Sequence, residues 1–329
     1  MRFIIIVLLG LSFNLAQAKD KKTEAAATAA PAPAPAAAKA APLPELKTDL
    51  APFELNMARV DYASKGKFGD ESKLFIVPTY YLRITARTQT EISSKGSSGA
   101  SVKAKILIDG LNKNLLQKVA ATLAEDLEKK IKAAGLEVIP YSQVAADLSG
   151  IDKMSINEKF GFPTNMLEGA AGVDFAIITP SDERTFDYGF TGVNFKYRDL
   201  VKAKKATVII PEVRFTLTEV GGTTSSNSFA ASANANVHPN MNLDWAYVSS
   251  LEPDHSGGAI RIQRHGAKYL STNAGTTVKI GEDSNSYAGW ARTVGDFTFT
   301  IDQKVVSEAM LAVGYAINDL TVKTIKGNQ

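Results

Sequence analysis

The chain contains three histidines, His238, His255 and His265. None lies three to five residues from another, so no helix can aim two imidazoles at one zinc ion. The chain has no cysteine, which removes thiolate nucleophiles, thiolate metal sites, iron–sulfur ligation and disulfides. Glu252, Asp254 and His255, with Asp244 upstream, are residue types that could pair an acid with a base and activate water beside a loop. The same residues also suit an ordinary surface turn. Asp283-Ser284-Asn285-Ser286 alternates oxygens like the opening of a calcium loop, but the glycine and closing glutamate that such a loop needs are missing from their positions. A polar turn is expected there. No glycine-rich phosphate cradle or dinucleotide fingerprint is present, and Gly96-Ser97-Ser98-Gly99 does not fit a nucleophile elbow. The expectation is a protein that is not an enzyme, holds no metal and needs no cofactor.

One segment is rich in groups that bind rather than react. Phe186, Tyr188, Phe190, Phe195 and Tyr197 fall within twelve residues, broken up by Gly189 and Gly192 and flanked by Asp187, Lys196, Arg198 and Asp199. Aromatic rings with polar tips serve as rigid anchors, so these five are the candidate ligand- or partner-binding residues, for a protein partner, a glycan or a lipid. The alternative is a crossover that packs its rings onto a sheet. Lys202, Lys204 and Lys205 just downstream read as a solvated edge, with anionic lipid or polysaccharide as the other reading.

These residues must be carried by a folded body, and composition bounds it. The chain has 329 residues, 45% hydrophobic and 22% charged, with a formal net charge of +3. Such usage is ordinary for a globular protein and excludes nucleic-acid binding driven by bulk charge. Residues 1–18 open with Arg2, continue through Phe3-Ile4-Ile5-Ile6-Val7-Leu8-Leu9 and end in Ala16-Gln17-Ala18, the pattern of a cleaved export leader. A lipid-anchored form would need cysteine at the cleavage point, where Lys19 stands. The expected mature protein is periplasmic and not lipidated. Residues 19–50, with Pro31-Ala32-Pro33-Ala34-Pro35, offer little to bury and favour an extended spacer. Residues 51–329 are then expected to form a single mixed domain, with a subdivision near 205 as the other count.

Within that body, Leu74 to Val77 is a short apolar run. Leu82, Ile84 and Ala86 alternate with Arg83, Thr85 and Arg87, and alternation resumes at Val102, Ala104, Ile106 and Ile108 after a Ser/Gly-rich tip, which predicts a hairpin. Leu115, Val119, Leu123, Leu127 and Ile131 recur every four residues and predict a long helix stopped by Gly135, with Glu125–Lys129, Asp126–Lys130 and Glu128–Lys132 on its solvent face. A strand over Leu136–Ile139, a short helix capped by Ser142 and a strand over Val173–Ile178 follow. A second hairpin is expected, with Val213, Phe215 and Leu217 on one arm, residues 229–237 on the other and Gly221–Ser226 as its tip. Strands are predicted near 243–250, 258–264, 276–280 and 296–301, then a closing helix capped by Asp302. The fold class read from this order is α/β (mixed α+β): a layered sheet under a long helix, two hairpins and a C-terminal helix.

The passage from the long helix through Gly135 into Leu136-Glu137-Val138-Ile139, and then Ala170-Ala171-Gly172-Val173-Asp174-Phe175-Ala176-Ile177-Ile178, resembles the CsgG-like periplasmic domains, which are related to the N-terminal domain of TolB. The likeness spans roughly 105–220 and the final helix. It implies a non-catalytic part of an export or surface-assembly apparatus, working as a ring. The function expected is an exported scaffold or accessory protein of bacterial envelope assembly or secretion. Its partners would be envelope or secretion proteins or further copies of itself, with peripheral outer-membrane contact and no nucleic acid. A periplasmic carrier of an apolar or glycan ligand and an outer-membrane-associated oligomeric pore component are the alternatives.

Overall fold

The computed structural model describes residues 44–47, 49–64, 67–69, 73–93, 100–158, 161–164, 174–187, 197–226, 231–263, 270, 273–287 and 290–328. The chain divides into two units, residues 1–42 and 43–329, and every element below belongs to the second. The expected leader and most of the expected tether lie outside the described residues. Leu46 and Leu50, at the end of that tether, pack on the body's main core.

The fold is mixed α+β. Its strands are β1 (Val60–Ala63), β2 (Leu74–Ile76), β3 (Tyr81–Ser93), β4 (Ala100–Asp109), β5 (Glu137–Val138), β6 (Ser155–Asn157), β7 (Phe162–Thr164), β8 (Asp174–Ile178), β9 (Thr207–Thr216), β10 (Glu219–Ser226), β11 (Ala231–His238), β12 (Asn242–Leu251), β13 (Ala259–Ile262), β14 (Gly275–Tyr287) and β15 (Trp290–Ile301). The helices are α1 (Lys113–Ala133), α2 (Tyr141–Val144), α3 (Arg198–Lys204) and α4 (Gln303–Asn328). Eleven strands form one sheet whose main path runs β1-β13-β12-β9-β3-β4-β15-β14, while β6–β7 and β10–β11 are separate two-stranded pairs.

The period-two segments become β3 and β4, an antiparallel pair from Arg87↔Leu107 to Ser93↔Ser101. On β4, alternation sends Val102, Ala104, Ile106 and Ile108 inward and leaves Lys105 and Leu107 exposed. Asn112 caps α1 by accepting the Leu115 N–H at 3.1 Å, and Gly135 takes φ +85°, a left-handed turn suited to glycine, to end it. Asp302 caps α4, its Oδ1 accepting the N–H groups of Lys304 and Val305 at 3.1 and 3.0 Å. By length and composition α4 could cross a membrane, but its apolar positions Val306, Met310, Val313, Ile317 and Leu320 are already buried in the core. The two long helices lie against the same sheet face and against each other.

Local detail departs from expectation in three places. The short helix starts at Tyr141 after Pro140, with no side-chain cap, so Ser142 lies inside it. Proline presets the φ of −63° found there, and no cap is needed to start one turn. Asp126 and Lys130 do pair, at 3.1 Å, but they face α4: Lys130 Nζ also reaches Asp319 at 2.7 Å and donates to the Tyr315 carbonyl at 3.2 Å. The second hairpin has different arms. Val213 and Phe215 of β9 pair with β12 and β3, while the Gly/Ser/Thr run expected as a tip is strand β10, paired to β11 from Glu219↔His238 to Ser226↔Ala231. Small residues that permit a turn equally permit a strand when a partner satisfies their backbone.

The helices are in tight contact at Gly314. A Cβ placed there would lie 2.3 and 2.5 Å from the two methyls of Leu123, a side chain with no exposure and no room to retreat. Gly314→Val is therefore expected to cost about 1–3 kcal/mol through overpacking. Urea denaturation of the variant beside the parent checks this; an unchanged midpoint would contradict the helix contact.

Candidate assembly surface

The sheet has two cores. On one face α1 and α4 cover Leu82, Ile84, Ile106, Val213, Phe215, Phe297 and their neighbours; on the other a smaller cluster joins Tyr81, Ile177, Val208 and Ile210 to Val144, Leu148, Phe186, Tyr197 and Leu200. Of the five aromatic candidates, Phe186 and Tyr197 belong to that second core. Each is 1% exposed, and their rings meet edge-on, 6.2 Å apart at 85°. The Phe186 carbonyl accepts the Tyr81 hydroxyl at 2.6 Å, and Lys153 Nζ lies 3.6 Å above the Phe186 ring. Burial pushes the Tyr81 and Tyr197 phenols well above their ordinary range, so both remain protonated. Arg184 fastens the same region, stacking 4.6 Å from the Tyr141 ring and donating to the carbonyls of Val77 and Pro78 at 2.7 Å each. Phe186 and Tyr197 thus pack onto the sheet. Tyr188, Phe190 and Phe195 lie outside the described residues.

The acid–base candidates do not converge. Asp244 sits in β12 and pairs with Arg214 at 2.9 Å, eight residues along the strand from Glu252, or about 26 Å at the usual rise per residue. Glu252 has no exposure; its carboxylate accepts the Gly69 N–H at 2.8 Å and the Thr207 hydroxyl at 2.5 Å, tying the segment before β2 to β9. Asp254 accepts the Ser256 N–H at 2.6 Å within its own turn, and His255 takes φ +69° in that turn. His265 lies outside the described residues. Among those described, no three His, Asp or Glu side chains gather as a metal would require. Asp283 to Ser286 are strand residues of β14, paired across to Val294 through Ala291, and form neither a calcium loop nor a turn. Lys204 pairs with Asp147 at 3.0 Å, while Lys202 and Lys205 stay exposed on the end of α3.

What sequence reasoning passed over is the length of β14. Only 276–280 read as strand, yet β14 runs thirteen residues, antiparallel to β15 from Gly275↔Ile301 to Tyr287↔Trp290. It ends the main sheet path, and among the described residues no strand pairs along its outer side. Val278 and Ile280 are 58% and 65% exposed there. The register shifts between Lys279 and Gly281, a bulge beside Ile280. Lys279 pairs with Glu282 across it, which cancels the one cation that would repel an added strand. Together β3, β4, β15 and β14 form a blade, joined at its centre by the parallel pairing of β4 and β15 from Ala100↔Ala291 to Asp109↔Thr300. The pair β10–β11 lies over this blade on the helix side, with Val220 and Val237 packed on the main core.

Between β11 and the β14–β15 pair runs a polar groove of 610 Å³. Asn234, Asn236 and His238, alternate residues of β11, line one wall; Thr277 and Lys279 of β14 line the other, over Phe297. The Thr277 hydroxyl is buried and has no hydrogen-bond partner among the described residues.

No protein-family model matches the chain, and no curated protein matches its sequence.

A second buried carboxylate, besides Glu252, lies within the sheet as part of a charged cluster. Arg83 of β3 and Glu212 of β9 form an ion pair with side chains 10% and 12% exposed, and Arg214 stacks 3.9 Å from the Phe175 ring. Burial raises the Glu212 carboxyl above its usual range, against the lowering pull of Arg83 and Arg214. Arg83→Met leaves that carboxyl buried without its closest cation, at a cost of about 3–5 kcal/mol. Its value then climbs further in the folded state. A raised carboxyl contributes fully below the unfolded value and loses its contribution as pH rises through the folded one. The deficit against the parent is therefore larger near about pH 8 than near about pH 5, as measured by urea denaturation at the two values; a deficit independent of pH would refute it.

Proposed function

We propose that the chain is an exported, non-catalytic scaffold or accessory protein of bacterial envelope assembly or secretion, and that it joins further chains by adding a strand to β14. The observation that carries this is the edge itself. Long edge strands present a row of backbone donors and acceptors to any passing strand, and soluble proteins usually blunt them with proline, charged side chains, a bulge or a covering element. The thirteen residues of β14 carry one bulge, beside Ile280, and the acids Glu282 and Asp283, but no proline; their only lysine is paired to Glu282, and Val278 and Ile280 stand exposed beside the backbone row. Backbone pairing supplies affinity in such additions, and exposed side chains supply choice of partner. The leader-like N-terminus and the Ala/Pro spacer support placing this body in the periplasm at the end of a tether.

An outer-membrane pore component is the second reading. It is favoured by the length of β3, β4, β14 and β15, which have 13, 10, 13 and 12 residues, against about 9–11 for a strand crossing a bilayer. In this arrangement the apolar side of the blade, with Val102, Ala104 and Ile106, is already buried. Insertion would require β10–β11 to swing away.

Light scattering of the purified mature protein is expected to show a defined oligomer, and crosslinking in cells is expected to trap either copies of the chain or one constant envelope protein. Ile280→Pro and Val278→Lys, placed on an exposed strand, should leave the thermal midpoint within a few degrees and abolish the association. A monomer with no crosslinked partner would refute the scaffold. Release of dye from lipid vesicles by the wild-type chain would favour the pore.

A further inference from the structure

We infer that the groove between β11 and the β14–β15 pair is a binding site for a neutral oligosaccharide. Its volume of 610 Å³ lies within the range of about 300–1,000 Å³ typical of small-molecule sites. The groups that line it are those a sugar needs. Asn234 and Asn236 each carry an amide with two donors and an acceptor, which can meet neighbouring hydroxyls that are donor and acceptor at once. They stand two residues apart on one strand, so both amides belong to the same face, and His238 continues the row. Opposite them, Thr277 and Lys279 stand two apart on β14, and Phe297, paired directly to Lys279 across the sheet, supplies an apolar patch for the C–H face of a sugar ring.

The buried Thr277 hydroxyl makes this more than a polar surface. A buried hydroxyl without a partner is unfavourable, and valine would fill the same space without that cost. Rotation of the Thr277 side chain about its Cα–Cβ bond would turn that hydroxyl toward the groove, where a ligand hydroxyl would supply the missing hydrogen bond.

The charge balance selects the ligand. Lys279 is held by Glu282, and Glu219 is the cross-strand partner of His238. The groove's lysine thus has an acid close by, so the site makes no demand for an anion. A neutral polyhydroxyl chain fits better than an acidic glycan or a phosphate.

The test uses the full mature chain, in whatever oligomeric state it adopts, with chitotetraose and cellotetraose as neutral probes and tetragalacturonate as the acidic one. Titration calorimetry and ligand-observed NMR should detect one or both neutral tetrasaccharides and little of the acidic one. Thr277→Val and Asn236→Ala should each weaken the neutral ligand about tenfold, the effect of losing one hydrogen bond. Thr277→Val should keep or raise the thermal midpoint, since it removes an unpartnered buried group, and so separates lost binding from lost folding. Absence of binding by both neutral probes at millimolar concentration would overturn the assignment. So would preference for the acidic probe, or wild-type affinity in Thr277→Val.

Discussion

The structure depends on β9 being buried on both faces. Five of its first seven residues are apolar or proline, and all seven are buried. Ile209, Val213 and Phe215 enter the core under α1 and α4, while Val208 and Ile210 enter the smaller core on the other side. A strand dry on both faces must have neighbours on both edges for its backbone and layers on both sides for its side chains. Here β12 pairs along one edge, and β2 and then β3 share the other. Pro211 marks the join: pairing on that edge stops at Val208↔Ile76 and resumes at Glu212↔Tyr81, so the amide hydrogen that proline lacks falls where the ladder is interrupted. Each helix layer is then a consequence of having to cover this strand.

The Arg83–Glu212 pair follows from the same burial. Side chains along β9 alternate, so apolar positions in the main core leave Glu212 and Arg214 on the opposite face, past the end of the second core. There the carboxylate is tolerated because β3 runs parallel in a register that brings Arg83 opposite Arg214, beside Glu212. A slip of one residue would turn Arg83 into the helix-side core and leave Glu212 without its partner. The pair therefore serves more to select one register than to add net stability. Away from β9 the sheet becomes progressively less covered, until β14 has one paired edge and exposed side chains, and the groove under β11 opens beside it. Both proposed functions occupy the end of the sheet where burial no longer dictates the residues.

Much of the fold was legible because it rests on periodicity. The four-residue spacing of Leu115 to Ile131, the alternation at Leu82–Ala86 and Val102–Ile108, and the caps Asp302 and Gly135 each state a local geometry that packing had no reason to override. Local reading failed where a partner was distant. Gly221–Ser226 read as a turn because its residues allow one, and became β10 because β11 satisfies its backbone. Asp283–Ser286 read as a polar turn, and became strand because β15 pairs with it. The functional surfaces were the least legible part. The aromatic run from 186 to 197 attracted notice by composition, yet its two described members are core residues. The edge of β14 carries ordinary residues whose meaning lies in an absent neighbour, and the groove gathers alternate residues from two strands forty positions apart, which no spacing rule connects.

The sequence by itself determined the strongly periodic helices and strands and which of their faces turn inward, because side-chain period and apolar spacing are properties of neighbouring residues. It also set the fold class, and it removed thiol chemistry and zinc ligation by two histidines of one helix. Only the tertiary structure decided which strands are neighbours: that β4 lies beside β15, that β9 is central, and that β14 is left at the edge. Those choices bring together residues as many as 191 positions apart. They follow from how the whole apolar surface is best covered at once, a property that no window of sequence contains.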